Sequence, residues 1–233
     1  MATAGEIGID EAGLVALSAR LEQEGATAAI RWTVERFGSA VALACSFQDC
    51  VLIEMATTID PSIEVVFLDT GAHFPETMAF VETVRSHFNL NLTVTTPPAE
   101  AAAWQCGSSR CCEIRKVEPL RSVLSQKSAW ITALKRCDAP TRANAPICSF
   151  DSQFGLVKIN PLATWSDENV ETYRLSHDLP AHPLIAMGYP SIGCAPTTRP
   201  VAPGEHPRSG RFTGMEKTEC GLHLPASPSA TDA

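Results

Sequence analysis

Nine of the 233 residues are cysteines, and three short segments place them where chemistry is possible. Cys111 and Cys112 are adjacent and run into Glu113-Ile114-Arg115-Lys116. Cys194 sits in Ile192-Gly193-Cys194-Ala195-Pro196, and Cys220 in Lys217-Thr218-Glu219-Cys220-Gly221-Leu222-His223. Structural zinc sites use CxxC pairs, and this chain has none. Soft thiolates gathered from distant segments suit an iron–sulfur cluster better. An odd cysteine count in a chain of this length, without a secretory leader, also argues against a disulfide scaffold.

The elements that must position these residues follow an alternating pattern. Asp10 is placed to cap a helix over EAGLVALSARLEQEG, and TAAIRWTVERF forms a second helix stopped by Gly38. Strands are expected at 41–45, 64–70, 91–96 and 129–134, with a fifth at 156–162. Helices are expected at 50–59, at 75–88 with Pro75 and Glu76 in its first turn, at 111–126, and from Thr164 or Ser166 through Asp178. Strands alternating with helices imply a doubly wound, mainly parallel α/β sheet.

Ligands of such sheets bind at the carboxyl ends of the strands, here Ser46–Asp49, Asp69–Phe74 and Thr95–Pro98. A serine-bearing turn feeding a helix suits a phosphate, and an acidic residue closing the next strand suits a ribose hydroxyl or an adenine amino group. The organisation expected is an N-terminal helical segment (1–38), an α/β nucleotide-binding core (39–180), a functional C-terminal segment (181–223) and a flexible tail (224–233). The stretch from Pro180 onward is rich in Pro, Gly and Arg, as expected of a segment wrapped over a site.

Composition excludes several classes. Lys and Arg number 18 against 26 Asp and Glu, a net charge of −8. Broad nucleic-acid or anionic-membrane binding needs a basic surface, so neither is expected. A small anionic ligand needs only a few focused cations. No apolar run approaches the roughly 20 residues of a membrane helix. MATAGEIGIDE has neither a basic nor an apolar region of a signal peptide, so a cytoplasmic protein is expected.

Eight strings now make a family resemblance specific: SFQD, FLDTGAHFPET, CCEIRKVEPL, RCDAPTRANAP, NPLATWSDENV, GYPSIGCAP, HPRSGRF and KTECGLH. From about Val41 to His223 the chain resembles the assimilatory adenylyl-sulfate (APS) reductases, cluster-containing relatives of the phosphoadenylyl-sulfate (PAPS) reductases. The resemblance implies an adenine nucleotide α-hydrolase-like, PP-loop-type fold whose C-terminal segment folds over the site. It implies reduction of APS to sulfite and AMP, in sulfate assimilation and cysteine biosynthesis. Cys220 would attack the sulfuryl group, leaving an S-sulfocysteine that thioredoxin or a similar dithiol releases. Lys217 and a protonated His223 would favour the thiolate, and Glu219 would oppose it.

The resemblance also assigns cations to the nonreacting oxygens: Lys116, Arg208 and Arg211, with His223 beside them. Arg142 is a further candidate contact, and Ser46, Asp69 and Thr70 are candidates for the adenylate. A [4Fe-4S] cluster is implied on Cys111, Cys112 and Cys194, but the fourth expected position is Thr197, a poor iron ligand. A cubane with one labile iron, a three-iron cluster and a chain without the cluster all remain open. Cys106, Cys137 and Cys148 are potential substitutes, though each is expected to be a small, buried or partly buried thiol. Cys45 and Cys50 flank the first turn without an assigned role. The rival readings are a PAPS reductase lacking a working cluster and a noncatalytic adenylate- or cluster-binding sensor.

Overall fold

The computed structural model describes residues 8–223, so the expected tail at 224–233 lies outside the described residues. Helix α1 (Glu11–Glu24) starts where Asp10 Oδ1 accepts the Gly13 N–H at 2.8 Å. Helix α2 (Ala26–Phe37) delivers the chain to strand β1 (Val41–Ala44). Then follow α3 (Val51–Ile59), β2 (Glu64–Leu68), α4 (Pro75–Phe88) and β3 (Asn91–Thr95). Helix α5 (Ser109–Cys112) continues through a π turn (Glu113–Val117) into α6 (Glu118–Leu124). Strands β4 (Ala129–Thr132), β5 (Cys148–Asp151) and β6 (Leu156–Ile159) precede α7 (Asp167–Ser176) and the short α8 (Pro183–Ala186).

The six strands form one sheet in the order β3-β2-β1-β4-β6-β5. All neighbours are parallel except β5, which runs antiparallel to β6 with Ser149 opposite Lys158. The order reverses direction between β1 and β4. That is the topological switch point, where neighbouring loops diverge and leave a crevice.

Alternation along the strands divides the core in two. Val41, Leu43, Val65, Phe67, Ile131, Val157 and Ile159 face α1–α4, and Val170 and Tyr173 of α7 pack against this cluster. Ala42, Val66, Trp130 and Leu156 face the other way, under Leu120 and Leu124 of α6. Each large side chain fully buried here contributes about 1.5–3 kcal/mol. The N-terminal helices belong to the first core, through Leu14, Leu21, Ala29 and Ile30. Arg136 adds a paired contact to Glu22 at 2.8 and 2.6 Å.

Three differences from the sequence expectations bear on the site. The antiparallel β5 was not expected. The helix expected as 111–126 contains a π turn, a widening often found at functional sites. The third loop, Thr95–Pro98, stays away from the crevice, because β3 is an edge strand two places from the switch point. The stretch after β4, from Thr132 to Asp138, takes its place.

Candidate active site

A cavity opens at the switch point. Its floor is made of the carboxyl ends of β1, β2 and β4, including Ser46, Thr70 and Thr132. Its roof is the chain beyond Pro190, carrying Arg208, Arg211, Cys220 and His223. Phe47, at φ +55°, turns the chain sharply after β1 while its ring is buried against Phe67 at 5.3 Å. Ser46 is left exposed at the cavity rim. Gln48 clamps the roof: its Nε2 donates to Pro190 O at 3.3 Å, and its Oε1 accepts the Ile192 N–H at 2.9 Å. The Ala195 N–H adds a bond to Ala72 O at 2.7 Å.

Of the residues named from sequence, Ser46, Thr70, Lys116, Arg142, Arg208, Arg211, Cys220 and His223 all line this cavity. Asp69 does not; its Oδ1 accepts the Gly71 N–H at 2.8 Å and fixes the turn after β2. Thr70 is fully buried, with its hydroxyl 3.4 Å from Cys194 Sγ, so it serves the cysteine loop. Gln48, His73 and Lys135 also line the cavity and were missed, because nothing local marks a lysine or glutamine as facing a crevice. Lys135 is neutralised by Asp138 and Asp167.

The cations differ in how free they are. Arg142 is spent on carboxylates: Nε and Nη2 donate to Glu219 at 2.7 and 2.6 Å, and Nη1 to Asp138 at 3.0 Å. This buried, two-point contact ties the segment carrying Cys220 to the body and neutralises Glu219. Arg208 donates through Nη2 to Thr218 O at 3.1 Å and pairs with Glu219 Oε2 at 3.5 Å. Arg211 donates through Nη1 to Ile192 O at 3.0 Å, while its buried Nε has no partner among the described residues. The guanidinium lies on Gly193, where an added Cβ would meet Nη2 at 2.0 Å. Burial tends to lower the Lys116 pKa, but Cys220, Cys194 and Cys112 outweigh it and hold the ammonium above its ordinary value.

His223 departs from its expected charge. Burial, reinforced by Lys158, Arg142, Arg208 and Lys116, holds its pKa well below the ordinary histidine value, so the ring is neutral. It stacks on Trp130 at 5.9 Å with 10° between the planes. Lys158 Nζ lies 3.3 Å from Nδ1, and as a donor it assigns the ring proton to Nε2. Lys217 is also redirected: its Nζ donates to Cys112 Sγ at 3.2 Å.

All nine cysteines are free thiols, and Cys111, Cys112 and Cys194 are buried. Interaction with the Cys106 thiol lowers the Cys194 pKa and raises that of Cys106; the Lys116 charge and the Thr70 hydroxyl also favour the Cys194 thiolate. Cys148 and Cys50 are pushed up to about 12, chiefly by burial, and lie outside this group. A buried set of free thiols next to ammonium groups is a donor set that fits an iron–sulfur cluster.

Fold and cavity together define a doubly wound α/β protein of the PP-loop type, with a cysteine set among cations at its switch point. The chain belongs to the phosphoadenosine phosphosulfate reductase family, whose domain description matches residues 39–200. It is 44% identical to an adenosine 5'-phosphosulfate reductase of Mycolicibacterium smegmatis, covering 89% of this chain and 92% of that one. A protein of the same name from Rhodococcus opacus is also 44% identical, over 88% and 91%. Among solved structures, a PAPS reductase from Candida auris superimposes with a TM-score of 0.72 at 23% identity, covering 82% of this chain and 98% of that one. An FMN adenylyltransferase from Candida glabrata gives 0.59 at 15% identity, over 92% and 81%, and shares the fold alone.

Proposed function

We propose that this protein reduces adenylyl sulfate to sulfite and AMP. The observation that carries the reading is the position of Cys220, in the wall of the switch-point cavity beside Lys116, Arg208 and Arg211. Membership in the family and the names of the most similar curated relatives agree with it.

The adenylate would lie over the ends of β1 and β4, near Ser46. The phosphosulfate would point to the roof. Attack by the Cys220 thiolate forms an S–S bond to the sulfuryl sulfur and breaks its bond to the bridging oxygen. AMP leaves with that electron pair, and Cys220 carries an SO₃⁻ group. Repulsion between a thiolate and a phosphosulfate is the main barrier, and cations aimed at the nonreacting oxygens lower it. Lys116, the Arg211 Nε that is unpaired among the described residues, and the N–H groups of Arg208 not engaged by Thr218 and Glu219 are the donors for those oxygens, and the His223 Nε2–H is a neutral one. Arg142 acts as a positioning residue through Glu219.

A dithiol such as thioredoxin completes the cycle. One of its thiolates attacks Cys220 Sγ and expels sulfite. Its second thiol resolves the mixed disulfide, so two electrons pass from the dithiol to sulfur. Cys220 also borders a second cavity, lined by Cys112, Pro140, Phe150 and Lys217, from which a dithiol would approach. The cluster, held by Cys111, Cys112 and Cys194, would supply electrostatic stabilisation near the bound anion. Ligands kept as reduced thiols would suit the reducing cytoplasm; no helix among the described residues is long and apolar enough to cross a membrane.

The test is intact mass after incubation with APS, and separately with PAPS, without a reducing thiol. The expected result is a gain of one SO₃ group mapping to Cys220, faster with APS, and absent in Cys220→Ser. Faster labelling by PAPS would move the substrate assignment. No adduct from either nucleotide, in protein that binds AMP, would refute the activity.

A further inference from the structure

The side chain at 197 is the break in the expected set of cluster ligands. Thr197 is only 5% exposed, and its hydroxyl is turned back to Cys194 O at 3.3 Å. A neutral threonine hydroxyl keeps its proton near neutrality and makes a poor ligand for iron.

The chain immediately before Cys111 fills this neighbourhood. The Ser108 N–H donates to Gln105 O at 3.1 Å, closing a tight turn that contains Cys106 and Gly107. Gly107 has φ +92°, a conformation other residues rarely adopt. A Cβ there would lie 2.9 Å from Thr197 Cγ2 and 2.5 Å from Met215 Sδ, so the turn rests directly on the threonine. Ser108 then caps α5 by accepting the Cys111 N–H at 3.2 Å. One short, capped turn therefore fixes Cys106 relative to Cys111.

Cys194 is held from the other side, by the Thr70 hydroxyl at 3.4 Å and the Ala195–Ala72 backbone bond. The Cys106 thiol interacts with both Cys194 and Cys111. The other unassigned cysteines are placed elsewhere. Cys148 lies in β5, and Cys137 is exposed with its thiol donating to Trp165 O at 3.3 Å.

We propose that Cys106 supplies the fourth thiolate of the iron–sulfur cluster, with Cys111, Cys112 and Cys194, in place of the side chain at 197. The ligand has moved from the Cys194 loop to the turn before the cysteine pair, and Thr197 has become the surface on which that turn packs. Each thiol gives up its proton on binding iron, so assembly releases protons and leaves a cluster bound by four thiolates beside Lys116 and Lys217. The inference rests on the reading of this site as a cluster-bearing one.

The test reads iron and acid-labile sulfide per chain, with the visible thiolate-to-iron absorbance, on the full chain purified without oxygen. Wild type should hold four irons and four sulfides. Cys106→Ser should lose at least one iron per chain and bleach the absorbance, while Cys137→Ser keeps both. The double variant Cys106→Ser/Thr197→Cys should regain four irons, which shows that the single variant's loss is not a failure to fold. AMP binding, measured by calorimetry, checks the fold of each variant independently. Full iron and an unchanged spectrum in Cys106→Ser would overturn the assignment, as would wild type with three irons or none. Iron content and the Cys220 adduct are separate readouts: an adduct in an iron-free chain removes the ligand assignment and keeps the activity, and four irons without an adduct do the reverse.

Discussion

His223 contributes to the site as a neutral ring. Four cations, Lys158, Arg142, Arg208 and Lys116, add to its burial in opposing an imidazolium. A ring held neutral donates one hydrogen bond from Nε2 at any pH above its depressed pKa. Replacing it in His223→Asn should slow sulfo-transfer to Cys220 by about 10²-fold, the cost typical of one lost donor to developing charge. The ratio of wild-type to variant rates should stay constant from about pH 6 to about pH 8. A ratio that rises with a midpoint near 6.5 as pH falls would show instead that the ring acts as a cation. Sequence placed His223 in the site but could not set its charge, because the cations that decide it come from segments far apart in the chain. The same limit left Cys106 as one of three potential substitutes, because its meeting with Cys194 depends on a turn and a loop separated by three strands.

At the scale of elements, local signals were readable and long-range ones were not. Asp10 and Ser166 cap α1 and α7 through bonds to Gly13 and Asn169, within three residues of themselves, so both helix starts were visible in sequence. β5 was missed because its four residues carry no clear alternation and its partner strand alone defines it. The junction of α4 and α8 gives a prediction of its own. His182 is 2% exposed; its Nδ1 accepts the Leu184 N–H at 3.2 Å, and its Nε2 lies 3.0 Å from Thr77 Oγ1. Burial lowers its pKa to about 4, from an unfolded value of 6.5. The stability it contributes is therefore complete above pH 6.5. It is lost as pH falls towards 4, because the unfolded chain takes up a proton that the folded one refuses. The loss reaches about 3 kcal/mol. Urea unfolding of wild type and His182→Gln at several pH values should show a shallower dependence in the variant; parallel curves would place the acid sensitivity elsewhere.

For the whole molecule, the net charge of −8 and the cationic cavity pull in opposite directions. An acidic surface repels an approaching nucleotide at long range, while Lys116, Arg208 and Arg211 attract it within a few ångströms. Salt screens exposed charges more than buried ones. Raising salt should therefore weaken AMP binding only moderately, and leave the binding of uncharged adenosine unchanged. Equal salt dependence for the two would mean that the phosphate does not reach the cations. The fold class was legible because strands and helices alternate through most of the core, from β1 to α7. The cavity was legible only where family strings marked its walls.

The order in which the site's parts appear along the chain also has a consequence in time. The strands, the turn with Cys106 and the cysteine pair are all synthesised before Cys194, and Cys220 comes after every other cavity-lining residue except Leu222 and His223. At roughly 5–20 residues per second, the stretch from the cysteine pair to Cys220 takes on the order of ten seconds to emerge. During that interval the nascent chain has a nucleotide crevice without its roof or its attacking sulfur. Reactivity arrives last, after the surroundings that direct it are already in place.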